Sequence, residues 1–193
     1  MEDDRTGQDS RPLRKQKRPR KVSPRYLENA ALHYLKRYAS TVSQLKRVLV
    51  RRVDRSVKEH GGDKAEALGW IEALTQKLVR NGLINDDAYA GMKAQSLRAS
   101  GRSTRVIAQK LRMKGVDAEL VQRKLAQATA EVSDEEAARI WARKKRLGPF
   151  RKNLETREEN RKRDLAALAR AGFSFGTAKK VIDGALDSSV RES

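Results

Sequence analysis

Between Arg25 and Gly148 the chain has no proline, and apolar residues recur three or four positions apart instead of alternating. That spacing puts them on one face of a helix and argues against strands. Polar residues that open a helix stand ahead of most runs. Ser23 precedes Pro24, an N-cap followed by proline at the first helical position. Thr41 with Gln44, Ser133 with Glu136 and Thr156 with Glu159 have the spacing of capping boxes. Asn85, Ser103, Asp117 and Ser174 are further cap candidates. Glycines supply the stops: Gly61-Gly62, Gly82, Gly101, Gly115 and Gly172. The predicted helices cover about 25–39, 41–60, 63–81, 85–100, 103–114, 117–130, 133–147, 157–171 and 174–187.

These fall into three groups of three, and the grouping repeats. Leu111, Gly115, Val116, Val121 and Leu125 keep the same spacing about Gly115 as Leu168, Gly172, Phe173, Ala178 and Ile182 keep about Gly172. Ahead of each set runs a helix with an aromatic-small pattern, Tyr89-Ala90 and Trp141-Ala142, and Ala30-Ala31 with Tyr34-Leu35 begins a first copy. The fold expected is all-α: three tandem three-helix, helix-turn-helix-like modules in an elongated, curved array. Module boundaries are expected at 25–82, 83–131 and 132–190, behind a disordered basic arm over 1–24. Eight basic residues and no acid lie between Arg11 and Arg25, with too little apolar surface to fold alone.

Composition narrows the function. The 193 residues carry 44 Lys+Arg against 25 Asp+Glu, a formal charge of +19, with 38% hydrophobic and 36% charged residues. Apolar side chains are too few for one thick core, which favours small helical units that lean on their neighbours. The excess positive charge points to a polyanionic partner. No apolar run approaches the roughly 20 residues that span a bilayer, and the N-terminal residues lack a signal-peptide h-region. Cysteine is absent, which removes thiol nucleophiles and thiolate metal ligands. A cytoplasmic protein with no cofactor is expected. No phosphate-binding glycine loop or nucleophile elbow is present, and the two histidines, His33 and His60, make no metal cluster, so an enzyme is not expected.

The chain resembles the RecX family of recombinase regulators from Tyr26 to Leu186. The resemblance rests on Ala30-Ala31-x-x-Tyr34-Leu35, on Gly82-Leu83-Ile84-Asn85-Asp86-x-x-Tyr89-Ala90, and on Gly101-x-Ser103 leading to Ile107, Leu111 and Lys114-Gly115-Val116. Leu168-x-x-x-Gly172-Phe173-Ser174 completes it. The chain departs from the family pattern in its extended second helix, over Val53–Asp63, and in the arm before Ser23. The resemblance implies a modulator that binds in the groove of a RecA-type recombinase filament on DNA and limits its growth, ATPase, strand exchange and coprotease activity.

Basic clusters are the candidate contact surface for acidic protein and phosphate. Lys46, Arg47, Arg51 and Arg52 share the second helix with Leu45, Val48, Leu49 and Val53. Arg98, Arg102, Arg105, Lys110, Arg112 and Lys114 bracket the turn and second helix of the middle module, the first three expected to project together. Arg143, Lys144, Lys145 and Arg146 close the seventh helix, where some of their charge offsets the helix dipole, and Arg161, Lys162 and Arg163 sit in the eighth. The aromatics are expected in the core, except that Gly148-Pro149-Phe150-Arg151 breaks the helical pattern and is a candidate contact loop. A monomer that also binds DNA weakly and without sequence preference fits this charge distribution. The rival reading is a sequence-specific helix-turn-helix regulator, against which stand the triplication and the acids of Asp117-Ala-Glu119 at the start of the would-be reading helix.

Overall fold

The computed structural model describes residues 18–184. Among them are nine α-helices and no strand: α1 Pro24–Leu35, α2 Val42–His60, α3 Lys64–Arg80, α4 Asp86–Ala99, α5 Thr104–Met113, α6 Ala118–Glu131, α7 Asp134–Lys145, α8 Arg157–Arg170 and α9 Phe175–Asp183. A single 3-10 turn, Gly148–Phe150, separates α7 from α8.

The expected caps explain most of the starts. Ser23, Thr41, Asn85, Ser103, Asp117, Ser133 and Ser174 each accept a free amide of the first turn through the side chain. Of the three expected capping boxes, only Ser133–Glu136 is complete. Gln44 turns its amide to the Tyr34 hydroxyl, 3.0 Å away, and so does not return to Thr41. Thr156 makes no side-chain cap because its backbone (φ −81°, ψ 5°) is not extended, and its hydroxyl donates to Asn153 O. Stops follow the glycines. At Gly82, Gly101, Gly115 and Gly172 φ is positive, and the residue after each donates back to the carbonyl five residues earlier, as in Val116 N to Leu111 O and Phe173 N to Leu168 O. Three helices end without a glycine: α1 at Lys36, α6 at Val132, and α7 at Arg146, the one described non-glycine with positive φ (54°).

The apolar stripes close on three separate clusters. Leu27, Leu45, Leu49, Val53, Ile71 and Leu78 anchor the first, from α1–α3. Ala90 and Ala94 let α4 lie close to Ile107, Leu111, Val121 and Leu125 in the second. Ala137, Ala138 and Ala142 do the same for α7 against Leu168, Phe173, Val181 and Ile182 in the third. Packing within each set of three helices far exceeds packing between sets, so the fold is a tandem helical array.

The sets are joined by a repeated device. Thr41 Oγ1, which caps α2, also donates to Lys114 O at the end of α5 (2.5 Å). Ser103 Oγ, which caps α5, donates to Ala171 O at the end of α8 (2.7 Å). A hydroxyl can accept and donate at once, which a carboxylate cannot. The glycine after each receiving carbonyl makes the approach possible. A Cβ on Gly115 would lie 2.2 Å from Ser43 Oγ, and one on Gly172 would lie 2.6 Å from Ser103 Oγ.

Of the expected arm, residues up to Lys17 lie outside those described. From Arg18 the chain runs beside α2: Val22 N donates to the buried Ser56 Oγ (3.0 Å), and Pro19 O meets His60 Nε2 at 2.7 Å. The expected end of the ninth helix, past Gly184, also lies outside the described residues. Two aromatics expected in the core are on the surface: Tyr38 follows the end of α1, and Phe175 opens α9 pointing away from its buried stripe. Among the described residues no helix is long and apolar enough to cross a membrane, and no cluster of His, Asp and Glu has the makings of a metal site.

Candidate interaction surface

The predicted cations divide into those spent on the fold and those left for a partner. Arg98 belongs to the first kind, which corrects the expectation that it projects with Arg102 and Arg105. It is 1% exposed. Ala90, Ala94 and Arg98 form one stripe along α4, so Arg98 points inward. Its Nε donates to Val132 O (2.7 Å), and its Nη1 donates to Arg102 O (3.2 Å) and Asp134 Oδ1 (2.6 Å). It fastens α4 to the linker that begins α7. Desolvation would raise the Asp134 carboxyl, but hydrogen bonds from Arg98 and Thr104 outweigh it and hold that group below its ordinary value of 3.8.

Of the predicted α2 cations, Lys46, Arg47 and Arg51 line an open groove of about 1050 Å³ between the first and second sets of helices, with Val50, Met113 and Lys114, and Arg52 does not. Several are already engaged. Lys46 pairs with Glu72, whose carboxyl is lowered by that hydrogen bond. Arg47 Nη2 donates to Met113 O (2.9 Å), another tie across the junction. Arg51 Nε reaches Arg47 O (3.3 Å) one turn back, and Arg52 Nη1 donates to the Tyr26 hydroxyl (3.1 Å). Arg105, Lys110 and Arg112 are exposed on α5 and line neither this groove nor the next.

A second cleft, of about 650 Å³, opens where the second set meets the third. Arg102, Lys145 and Arg146 line it together with Arg163 and Arg170 of α8, of which Arg170 was not among the predicted cations. Trp141 forms one wall. The Arg102 guanidinium lies 4.6 Å from its ring centroid and the Lys145 ammonium 5.5 Å. The rest of the α7 cluster points elsewhere: Arg143 covers the Phe150 ring (5.3 Å), and Lys144 Nζ donates to Ser100 O (3.0 Å).

The Gly148–Arg151 segment is held by a residue with no counterpart in the sequence reading. Asp164, 1% exposed, accepts Gly148 N (2.7 Å) and both arms of Arg151, Nε at 2.8 Å and Nη2 at 2.6 Å. This bidentate bond also raises the already high Arg151 pKa. The turn is therefore a structural element of the third set. Asp164 stands four residues before Leu168, on the buried face of α8, and that register was the available signal.

Known proteins resemble this chain along most of its length. The model of the second three-helix domain of RecX matches residues 85–125. Regulatory protein RecX of Myxococcus xanthus (strain DK1622) is 76% identical over 183 residues, spanning 95% of this chain and 98% of that one. The Agrobacterium fabrum protein of the same name is 33% identical over 157 residues, 81% of this chain and 82% of its own. A crystal structure of regulatory protein RecX superposes with a TM-score of 0.59 at 25% identity, covering 83% of this chain and 71% of that one.

Proposed function

Because the chain belongs to the RecX family of regulatory proteins, we propose that it regulates a RecA-type recombinase by lying in the groove of the recombinase filament on DNA. There it restrains filament growth, ATPase and coprotease action, working as a non-enzymatic monomer. The observation that carries this reading is the 76% identity to a RecX protein over 98% of that protein's length. The geometry supports it in one respect: basic clefts recur at successive junctions of a tandem array, which suits a partner that is itself a repeating polyanion. Weak DNA binding without sequence preference belongs to the same proposal.

The test is recombinase ATPase turnover on single-stranded DNA with this protein at substoichiometric amounts. Turnover should fall. Arg102→Glu with Arg105→Glu should relieve the effect while helical circular dichroism stays unchanged; Arg98 is left intact because the fold needs it. Undiminished regulation by that variant would refute the assignment of this face. A preference of about 1000-fold for one duplex sequence would favour the helix-turn-helix reading instead.

A further inference from the structure

The cleft between the second and third sets of helices has more than charge. α7 stops at Arg146 in a left-handed conformation (φ 54°, ψ 52°) that an arginine seldom adopts. The reversal brings the end of α7 against α8, whose Arg163 and Arg170 line the same space. The single carboxylate there, Asp164, is fully engaged by Arg151 and Gly148. Among the described residues none of Arg102, Lys145, Arg146, Arg163 and Arg170 has an ion pair. Five cations without an ion pair therefore line one cleft, two of them, Arg102 and Lys145, over the Trp141 ring.

These features favour one kind of ligand. Guanidinium forks take the oxygens of a phosphate or of a carboxylate two at a time, so the cations admit either and the aromatic wall separates them. A tryptophan already stacked by Arg102 offers a layered face on which an unpaired base can lie. A duplex is read by a protein part that protrudes into its groove. Here the protein is concave, and its volume falls within the roughly 300–1,000 Å³ of sites that enclose a small ligand. The other groove lacks this combination, since Lys46 is paired with Glu72, Arg47 is bonded to Met113 O and no aromatic lines it.

We propose that this cleft binds single-stranded nucleic acid, seating a phosphate among Arg146, Arg163 and Arg170 and the adjoining base against the Trp141–Arg102 stack. The proposal gives the DNA contact of the functional reading a defined place, and it is tested without recombinase so that the two fail separately.

The chain has two tryptophans, so Trp70→Phe leaves Trp141 as the sole indole reporter. Titrating that protein with a short oligothymidylate should quench Trp141 emission. The midpoint should weaken with salt by about 0.7 log unit per log unit of salt for each phosphate engaged. Adding Arg146→Glu and Arg163→Glu should weaken the midpoint by about tenfold or more, with the unfolding curve unchanged. Three results would overturn the proposal. One is an oligonucleotide whose own anisotropy shows binding while Trp141 stays silent. Another is equal affinity in the double reversal. The third is equal quenching by polyglutamate, which would assign the cleft to an acidic protein segment. If tripolyphosphate displaces the strand as well as unlabelled oligothymidylate does, the base contact is refuted as well. Loss of recombinase regulation with the Trp141 response intact would refute the functional reading alone.

Discussion

Replacing Gly115 with alanine tests the junction between the first two sets of helices, because the same change at Gly82 separates backbone strain from contact. Both glycines are left-handed, φ 77° at Gly115 and 70° at Gly82. An alanine at either position should cost about 1–2 kcal/mol for that conformation alone. At Gly82 the new methyl meets nothing within 4 Å. At Gly115 it would sit 2.2 Å from Ser43 Oγ and 2.4 Å from Ser43 Cβ, near the backbone of α2, where nothing can swing aside. The two sets must part, and the Thr41–Lys114 hydrogen bond then contributes nothing, a further loss of about 0.5–1.5 kcal/mol. Denaturant unfolding should therefore rank Gly115→Ala below Gly82→Ala by roughly 1 kcal/mol. Small-angle scattering should show altered dimensions for the first variant only. Ser43→Gly, which removes the obstructing atoms, should restore the scattering profile of Gly115→Ala. Equal destabilisation of the two alanine variants, with unchanged scattering, would refute the junction.

Three further outcomes follow from the described contacts. Arg98→Met should destabilise by about 2–4 kcal/mol, since it leaves Val132 O and Arg102 O without their donor; a thermal melt matching the parent would remove Arg98 from the joint. Ser103→Asp keeps an acceptor for the α5 cap but sets a carboxylate against Ala171 O, so helix content should persist while α7–α9 gain amide hydrogen exchange, and unchanged exchange would refute the shared role of the hydroxyl. Hydrogen bonds from Arg98 and Thr104 hold Asp134 below its ordinary 3.8 against desolvation. Such a carboxyl stabilises the fold above its unfolded pKa and loses that contribution as pH falls through its folded value. The stability advantage of the parent over Asp134→Asn should therefore be constant near neutrality, begin to fall near about pH 4 and be lost only once pH drops below the depressed folded value.

Much of the fold could be read from the chain because its signals are local. Apolar spacing, a hydroxyl or carboxamide ahead of each run and a glycine behind it all act within a few residues, and the Gly115 and Gly172 repeats fall in matching turns. The departures are of two kinds, local backbone geometry that the spacing did not reveal and packing between elements. Thr156 has the spacing of a cap, but its backbone is bent toward Asn153. Arg146 ends a helix where Gly148 was the expected break. Charge groups Arg98 with the exposed cations and gives Asp164 no role, whereas their register with Ala90, Ala94 and Leu168 places both inside. Arg163 and Arg170 join the second cleft only because α8 folds back against α7, which no periodicity within α8 could reveal.

The formal charge of +19 is thus divided among different tasks. Helices end in carbonyls without partners inside the helix, and small cores offer little apolar surface to cover them. Long cationic side chains fill the gap: Arg47 caps the end of α5 at Met113 O, Lys144 reaches Ser100 O past α4, and Arg157 reaches Ile182 O and Gly184 O at the end of α9. Two of these ties cross from one set of helices to the next, so part of the basic character is what holds the array together. Neutralising such residues should lower stability first and affinity only through it. Neutralising Arg146 or Arg163, which have no partner among the described residues, should leave stability near the parent and flatten the salt dependence of binding by nearly one phosphate each. Net charge alone does not distinguish these two groups; the identity of the acceptor each guanidinium faces does.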